Sequence, residues 1–260
     1  EELLARGYQV FTPTVDPFNT SEHRAKELIA EIEVIVEETG APKVHIIGHS
    51  QGGLDARAVA HLRPELVASA TAYGTPHHGL VLADALGGAE PWTPVAPVID
   101  SLVRLLGKGL WKDVDAETSL EKALEQLSGE GLMAFNEAFP DQPSVRYYSI
   151  AGRTDGHAGG PDCFPEDRPP FVAQWDRERD PVDPFLALSE AFIDGGFGDP
   201  FANDGLVRVE NARWGRFLGC VPADHLDQVG QLLNDSPGFG NAFDHVEFFA
   251  ELIDWLHKQE

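Results

Sequence analysis

The sequence is poor in basic residues, in cysteine and in long apolar segments, and each shortage excludes a class of protein. It has 19 lysines and arginines against 43 aspartates and glutamates, for a formal net charge of −24. Such a surface repels phosphate backbones and anionic membranes, so no nucleic-acid partner is expected. No apolar run is long enough to span a bilayer. This composition favours a soluble protein that is secreted or adapted to salt.

Cysteine is scarce as well. The two cysteines, Cys163 and Cys220, permit one disulfide, but their spacing alone does not show that it forms. No signal peptide is visible, and the chain begins as if inside the last turn of a helix that closes on Gly7. We therefore expect further residues, including one or more N-terminal strands, to precede Glu1.

The 260 residues, 42% of them hydrophobic, are enough for one large domain with a sizeable core. Strand-like and helix-like segments alternate in the first part of the chain. Residues 8–12, 43–47 and 67–73 read as strands, and helical patterns lie between them. This alternation predicts an α/β fold, with a mostly parallel central sheet covered by helices on both faces.

The segment Gly48-His49-Ser50-Gln51-Gly52 lies between a predicted strand and a predicted helix. A strand, a sharp turn and a helix in this order predict a nucleophile elbow, which lifts the Ser50 hydroxyl clear of the sheet. We expect both flanking glycines to be needed because a side chain would crowd the bend. The same turn directs the Gln51 N–H at a developing oxyanion. The alternative is a structural Gly-Ser turn.

A serine nucleophile needs a base and an acid that orients the base. Ten histidines compete for the first role. His225 is the best candidate because it follows the last strand-like segment and lies in reach of the carboxyl edge of the sheet. His49 is set aside because chain geometry should direct its side chain away. Asp204, at a glycine turn between Ser50 and His225, is the best candidate for the acid.

Two insertions interrupt the α/β rhythm. Residues 88–131 contain an apolar stripe at helical spacing, which fits either ordinary core helices or an amphipathic lid over the active site. Residues 152–203 are rich in loops, and we expect function or a bound metal to order them. The predicted lid residues are Val95, Val98, Ile99, Leu102, Leu105 and Leu106.

Several segments together resemble the true lipases of bacterial family I, the foldase-dependent secreted enzymes of Pseudomonas and Burkholderia. The shared segments occur in the order of that family and cover nearly the whole chain. They are 43–53 (KVHIIGHSQGG), 74–79 (GTPHHG), 147–149 (YYS), 182–184 (VDP), 203–207 (NDGLV) and 224–233 (DHLDQVGQLL).

The resemblance implies a single α/β-hydrolase domain over residues 1–260, with Ser50 as nucleophile, Asp204 as acid and His225 as base. The Gln51 N–H would be one oxyanion donor. The family's second donor lies on a strand that ends in His-Gly, and this chain contains no such strand. The implied activity is that of a secreted triacylglycerol lipase acting on lipid esters at an oil–water interface. A dedicated foldase partner is a family expectation, and we expect a monomer.

The resemblance also implies a structural Ca²⁺ and no organic cofactor. The matching carboxylates are Asp183 and Asp227, a backbone carbonyl comes from Gln231, and the fourth ligand falls near Asp235. Oxygen ligands suit a hard cation, and Asp227 would let the ion hold the loop that bears His225. Within the 152–203 insertion, residues 152–179 have no clear counterpart in that family.

Two other functions remain open. A short-chain esterase would have the same catalytic residues, and the predicted amphipathic lid favours the lipase over it. A catalytically silent lipid-binding protein would explain the absence of the second oxyanion donor, but would leave the catalytic residues unexplained.

Overall fold

A four-stranded parallel sheet carries the part of the chain that the structure, a computed structural model, describes: residues 2–87, 120–154, 163–184, 186–194, 201–230 and 240–259. The strands pair in chain order, β1-β2-β3-β4, and every pairing is parallel. They are β1 Val44–His49, β2 Val67–Tyr73, β3 Arg146–Gly152 and β4 Arg216–Val221. The predicted α/β architecture with a parallel sheet is confirmed.

Nine helices accompany the strands in the described ranges, together with a 3₁₀ turn at Asp227–Val229. They are α1 Glu2–Ala5, α2 Ser21–Thr39, α3 Gly52–Leu62, α4 Val81–Gly87, α5 Leu120–Leu127, α6 Gly129–Ala138, α7 Pro170–Ala173, α8 Ala187–Ile193 and α9 His245–His257. Among the described residues, no helix combines the length and apolar character needed to cross a membrane.

The helix limits follow from local chemistry. The Thr20 side chain accepts a hydrogen bond from the His23 N–H at the start of α2, and Gly40 ends that helix with a φ of 68°. At the start of α9, the Asp244 side chain accepts from the N–H groups of Val246 and Glu247. Each cap is formed by residues within a few positions of the backbone groups that it satisfies.

The sheet is buried on both faces. Leu54 and Val59 of α3 pack with Leu28 and Ile32 of α2 in one core cluster. Another cluster joins strand residues such as Tyr73, Ile150 and Leu218 to Phe248 and Leu252 of α9. Strand β2 is buried along almost its whole length, and even its polar residues Ser69 and Thr71 are completely buried.

The prediction of a strand at residues 8–12 is wrong, because this segment has no regular secondary structure. Val10 is 42% exposed and Phe11 is 45% exposed. A strand inside a parallel sheet would bury such side chains, whereas this segment lies on the surface. A short apolar run is therefore not sufficient evidence for a strand.

Both insertions are described in part. Val95, Val98, Ile99, Leu102, Leu105 and Leu106 lie outside the described residues, so the lid stays a prediction. In the described part of residues 88–131, helix α5 is tied to the body of the protein. The Gln126 Oε1 accepts a hydrogen bond from the Ser21 N–H at 2.7 Å, and Leu127 packs on the core.

The loop-rich insertion is tied to the sheet by a covalent bond. Cys163 and Cys220 form a disulfide, which joins the segment before α7 to strand β4. Cys163 is completely buried and Cys220 almost completely buried. The short helix α8 also lies within this insertion.

Candidate active site

Ser50 lies at a strained turn between β1 and α3. Its φ of 54° makes it the one non-glycine residue with a positive φ in the described ranges. Backbone strain of this kind is destabilising by about 1–3 kcal/mol and persists where neighbours impose it. Here the Ser50 N–H donates to the Tyr73 carbonyl at 2.9 Å, and the Thr75 hydroxyl donates to the Ser50 carbonyl at 2.7 Å. The end of β2 thus holds the elbow in place.

The glycines of the elbow differ in what they allow. A Cβ on Gly48 would overlap the backbone of Gly52, and a Cβ on Gly53 would overlap the side chain of Thr75. A Cβ on Gly52 would meet nothing within 4 Å. The expectation that Gly52 is needed for space is therefore wrong, while the same expectation for Gly48 agrees with the structure. Gly53 was missed, since its contact is with a distant part of the chain.

Asp204 and His225 form a buried pair. The Nδ1 of His225 lies 2.8 Å from Oδ2 of Asp204, and the His225 N–H donates to the Asp204 carbonyl at 2.8 Å. The other carboxylate oxygen, Oδ1, accepts from the N–H groups of Leu206 at 3.0 Å and Val207 at 2.7 Å. The glycine turn after Asp204 therefore supplies donors to this carboxylate, and the structure brings together the two residues that the sequence named as candidate acid and base.

These contacts set the charge of the acid. Burial alone would raise the pKa of Asp204, but the neighbouring His225 and the backbone N–H groups outweigh it, and the pKa lies below its ordinary value. Asp204 is therefore an ionised carboxylate at neutral pH. An ionised acceptor at Nδ1 places the proton of the neutral imidazole on that nitrogen and leaves Nε2 free to accept one.

His49, set aside on chain geometry, lies against His225. The ring centroids are 4.5 Å apart, and the His49 ring also meets Tyr73 edge to face at 6.0 Å. Burial and the neighbouring His225 lower the pKa of His49 to about 3, so its ring is neutral. Because His49 adjoins Ser50 in sequence, this contact brings the elbow and the Asp204–His225 pair to one place.

Gln51 sits at the N-cap of α3 with its side chain fixed. Its Nε2 donates to the Asn19 carbonyl at 2.7 Å, and its Oε1 accepts from Arg24 at 3.3 Å. Arg24 is itself held by the buried Asp55, with Nε–Oδ2 of 2.8 Å. A fixed Gln51 at a helix start has its backbone N–H at the positive end of the helix dipole.

Three buried carboxylates gather beside His225. Asp180, Asp224 and Asp227 each offer an oxygen within 4.8 Å of the others. Asn241 bridges two of them, since its Nδ2 lies 2.7 Å from Asp180 and 3.2 Å from Asp227. Burial raises the pKa of Asp180 to about 8 and that of Asp224 to about 6. Buried carboxylates this close together are suited to binding a hard cation, because such a cation prefers oxygen ligands.

The four predicted metal ligands differ in their position relative to this acidic cluster. Asp227 belongs to this acidic cluster, whereas Asp183 adjoins it, its backbone N–H donating to Asp224 at 2.8 Å. Gln231 and Asp235 lie outside the described residues. Sequence reasoning missed Asp180 and Asp224, although Asp224 directly precedes His225 and Asp180 stands three residues before Asp183.

The chain is similar to known proteins in sequence and in fold. The family model of the α/β hydrolase fold matches residues 2–97. The triacylglycerol lipase of Vibrio cholerae serotype O1 is 31% identical over 255 residues, covering 90% of this chain and 72% of the relative. The triacylglycerol lipase of Pseudomonas fragi is 30% identical over 248 residues, covering 88% and 79% respectively.

A solved structure extends the match to the fold. The crystal structure of Staphylococcus hyicus lipase superposes with a TM-score of 0.63 at 18% identity, over 98% of this chain and 87% of that one. Both lipase relatives match this chain over most of its length. The chain belongs to the triacylglycerol lipase family of the α/β-hydrolase fold.

Proposed function

We propose that this protein is a secreted triacylglycerol lipase that uses Ser50, His225 and Asp204 as a catalytic triad. The observation that carries the proposal is the buried, hydrogen-bonded pair of Asp204 and His225, which meets the elbow of Ser50 through the ring of His49. The relatives at 30–31% identity, which bear the name triacylglycerol lipase, support the substrate class.

In the proposed reaction, Nε2 of His225 takes the hydroxyl proton of Ser50 as Oγ attacks the ester carbonyl carbon. Asp204 stabilises the imidazolium and keeps its Nδ1–H in place. The protonated Nε2 then gives its proton to the leaving alkoxide, and an acyl-enzyme remains on Ser50. Water, deprotonated by the same Nε2, attacks the acyl carbon and releases the fatty acid.

The oxyanion that forms in each tetrahedral intermediate needs hydrogen-bond donors. We assign one of them to the backbone N–H of Gln51, because the elbow turns it toward the carbonyl under attack and α3 begins directly after it. The fixed side chain of Gln51 prevents the donor from moving during the reaction. Preorganised donors of this kind are each worth about 10²–10³ in rate.

We also propose that the acidic cluster of Asp180, Asp224 and Asp227 binds Ca²⁺. Burial opposes the ionisation of Asp180 and Asp224, and a bound divalent cation would favour their ionised forms. Asp183, Gln231 and Asp235 stay candidate ligands on the resemblance alone. Bound there, the ion would hold the segment that carries His225.

Secretion is supported by the disulfide between Cys163 and Cys220, because such bonds persist mainly in oxidising compartments. Action on emulsified lipid rests on the predicted lid at residues 88–131. A dedicated foldase partner and a monomeric state stay predictions.

The test is Ser50→Ala in an assay of triacylglycerol and p-nitrophenyl ester hydrolysis. We expect activity to fall by at least about 10⁴-fold with an unchanged melting temperature, and a serine-directed phosphonate to label wild type but not the variant. Activity that survives in Ser50→Ala would exclude this triad. An unlabelled, inactive wild type would indicate a lipid-binding protein.

A series of ester chain lengths then separates lipase from esterase. A lipase hydrolyses long-chain substrates faster once they form an emulsion. A preference for short, dissolved esters with no gain on emulsification would assign the protein to the esterases instead.

A further inference from the structure

We propose that Gln228 is a positioning residue of the hydrolytic site, whose side-chain amide locks the carboxylate of Asp204 in the orientation that serves His225. This inference rests on the proposed function. It adds a residue outside the triad, the oxyanion donor and the metal cluster.

The amide of Gln228 completes the shell of donors around Asp204. Its Nε2 donates to Oδ2 at 2.7 Å, and the same oxygen accepts a hydrogen bond from Nδ1 of His225 at 2.8 Å. The other oxygen is held by two backbone N–H groups. A carboxylate has about four acceptor sites, so these four donors fill them and prevent the group from rotating.

The orientation of the amide favours this role over simple core packing. Only the NH₂ end of an amide can face a carboxylate, so the Gln228 Oε1 must point the other way. There it is buried without a hydrogen-bond partner among the described residues. Leaving a buried acceptor unpaired is destabilising, and buried groups that remain so call for a reason other than stability.

The fold leaves a slot for this amide at the ends of two neighbouring strands. A Cβ on Gly74, directly after β2, would overlap the Gln228 Oε1, and a Cβ on Gly152, the last residue of β3, would overlap its Nε2. Both positions must lack a side chain for Gln228 to reach Asp204. The slot therefore depends on glycines from two strands that meet the acid from the same edge of the sheet.

The backbone of Gln228 has a separate role, which a side-chain substitution leaves intact. Its N–H donates to the Asp224 carbonyl at 3.1 Å, which joins the 3₁₀ turn Asp227–Val229 to the segment before it. The side chain is completely buried and donates a hydrogen bond to Asp204. Substitution of the side chain therefore tests the contact with the acid.

The experiment compares Gln228→Met with Gln174→Met in the full chain. Methionine has nearly the length of glutamine but no donor. Gln174 is the matched control, because its Nε2 also donates to a carboxylate, that of Glu251, on the exposed surface. We expect Gln228→Met to lower kcat by about 10- to 100-fold with a KM near the wild-type value, because the Asp204 carboxylate loses one of its four donors and becomes able to rotate. Gln174→Met should match wild type.

The same substitution in an Asp204→Ala background separates positioning from structure. If Gln228 acts through Asp204, adding Gln228→Met to Asp204→Ala should change kcat by less than twofold. Should Gln228→Met fail to fold, Gln228→Asn gives the same comparison, because it keeps an amide in the slot but is one methylene too short to reach Asp204.

Wild-type kcat in Gln228→Met, or an equal loss in the Asp204→Ala background, would overturn the inference while leaving the proposed function intact. A wild-type protein that neither hydrolyses esters nor reacts with the phosphonate would instead refute the proposed function itself.

Discussion

Gly48 and Gly52 approach each other so closely at the elbow that a Cβ on Gly48 would overlap the Gly52 carbonyl. The reverse does not hold, since a Cβ on Gly52 would meet nothing within 4 Å. The first glycine of the motif is thus needed for the chain to turn back on itself. The second has room for a side chain and stands at the first position of α3.

This asymmetry predicts opposite effects for two alanine substitutions. Gly48→Ala should lower the free energy of unfolding by about 3 kcal/mol and abolish ester hydrolysis, because the elbow backbone must move. Gly52→Ala should leave activity unchanged and raise the free energy of unfolding by up to about 1 kcal/mol, because alanine favours a helix more than glycine does. Urea denaturation measures both, and equal losses in the two variants would contradict this reading of the elbow.

The disulfide should contribute to stability more than to catalysis. Cys163 and Cys220 are 57 residues apart, and closing a loop of that length in the unfolded chain is expected to stabilise the protein by about 4 kcal/mol. The double variant Cys163→Ser with Cys220→Ser should therefore unfold at lower urea concentration.

Its kcat at 25 °C should equal that of wild type, since both cysteines pack in a hydrophobic cluster that contains none of Ser50, Asp204 and His225. Reduction of wild type should reproduce the loss of stability. A variant that stays as stable as wild type would mean that strain in the folded state cancels the effect of loop closure.

The acidic cluster predicts a stabilising Ca²⁺ whose binding depends on Asp180. At a Ca²⁺ concentration 100 times its Kd, the ion adds about 2.7 kcal/mol of stability, so chelation should lower Tm by about 5–10 °C. Asp180→Asn should raise the Kd for Ca²⁺ by at least about 10-fold, because it removes one of three clustered carboxylates.

Asp183→Asn is the matched control for Asp180→Asn. Its backbone N–H bond to Asp224 survives the change, and its carboxylate is not in the cluster. Isothermal titration calorimetry should therefore find a Kd near the wild-type value. A larger loss in Asp183→Asn than in Asp180→Asn would assign the ligand role to Asp183, as the family resemblance does.

Much of the candidate site was predictable because its features depend on residues that are close together in sequence. The bend at Ser50, the glycine turn after Asp204 and the caps of α2 and α9 each depend on residues within a few positions of one another. Local chemistry such as a missing Cβ or a capping oxygen acts over that range, so a sequence displays it directly. The chain order of Ser50, Asp204 and His225 then sufficed to identify a candidate triad.

The wrong prediction and the question that the sequence left open both lie where burial or a distant partner decides. Residues 8–12 have the composition of a strand, but Val10 and Phe11 are exposed and find no strand partner among the described residues. The pairing of Cys163 with Cys220 depended on how the loop before α7 packs on β4. Neither outcome follows from neighbours in sequence, because both depend on which surfaces come together.

The sequence by itself thus determined the parallel α/β class and the strained turn at Ser50, and it named Asp204 and His225 as candidate partners. Only the tertiary structure decided that His49 lies against His225, that Asp180 and Asp224 join Asp227, and that Gln228 reaches Asp204 between two glycines. The physical reason is that these contacts join strand ends and loops far apart in the chain. Their formation depends on the register of the sheet and on burial, which no local pattern of residues encodes.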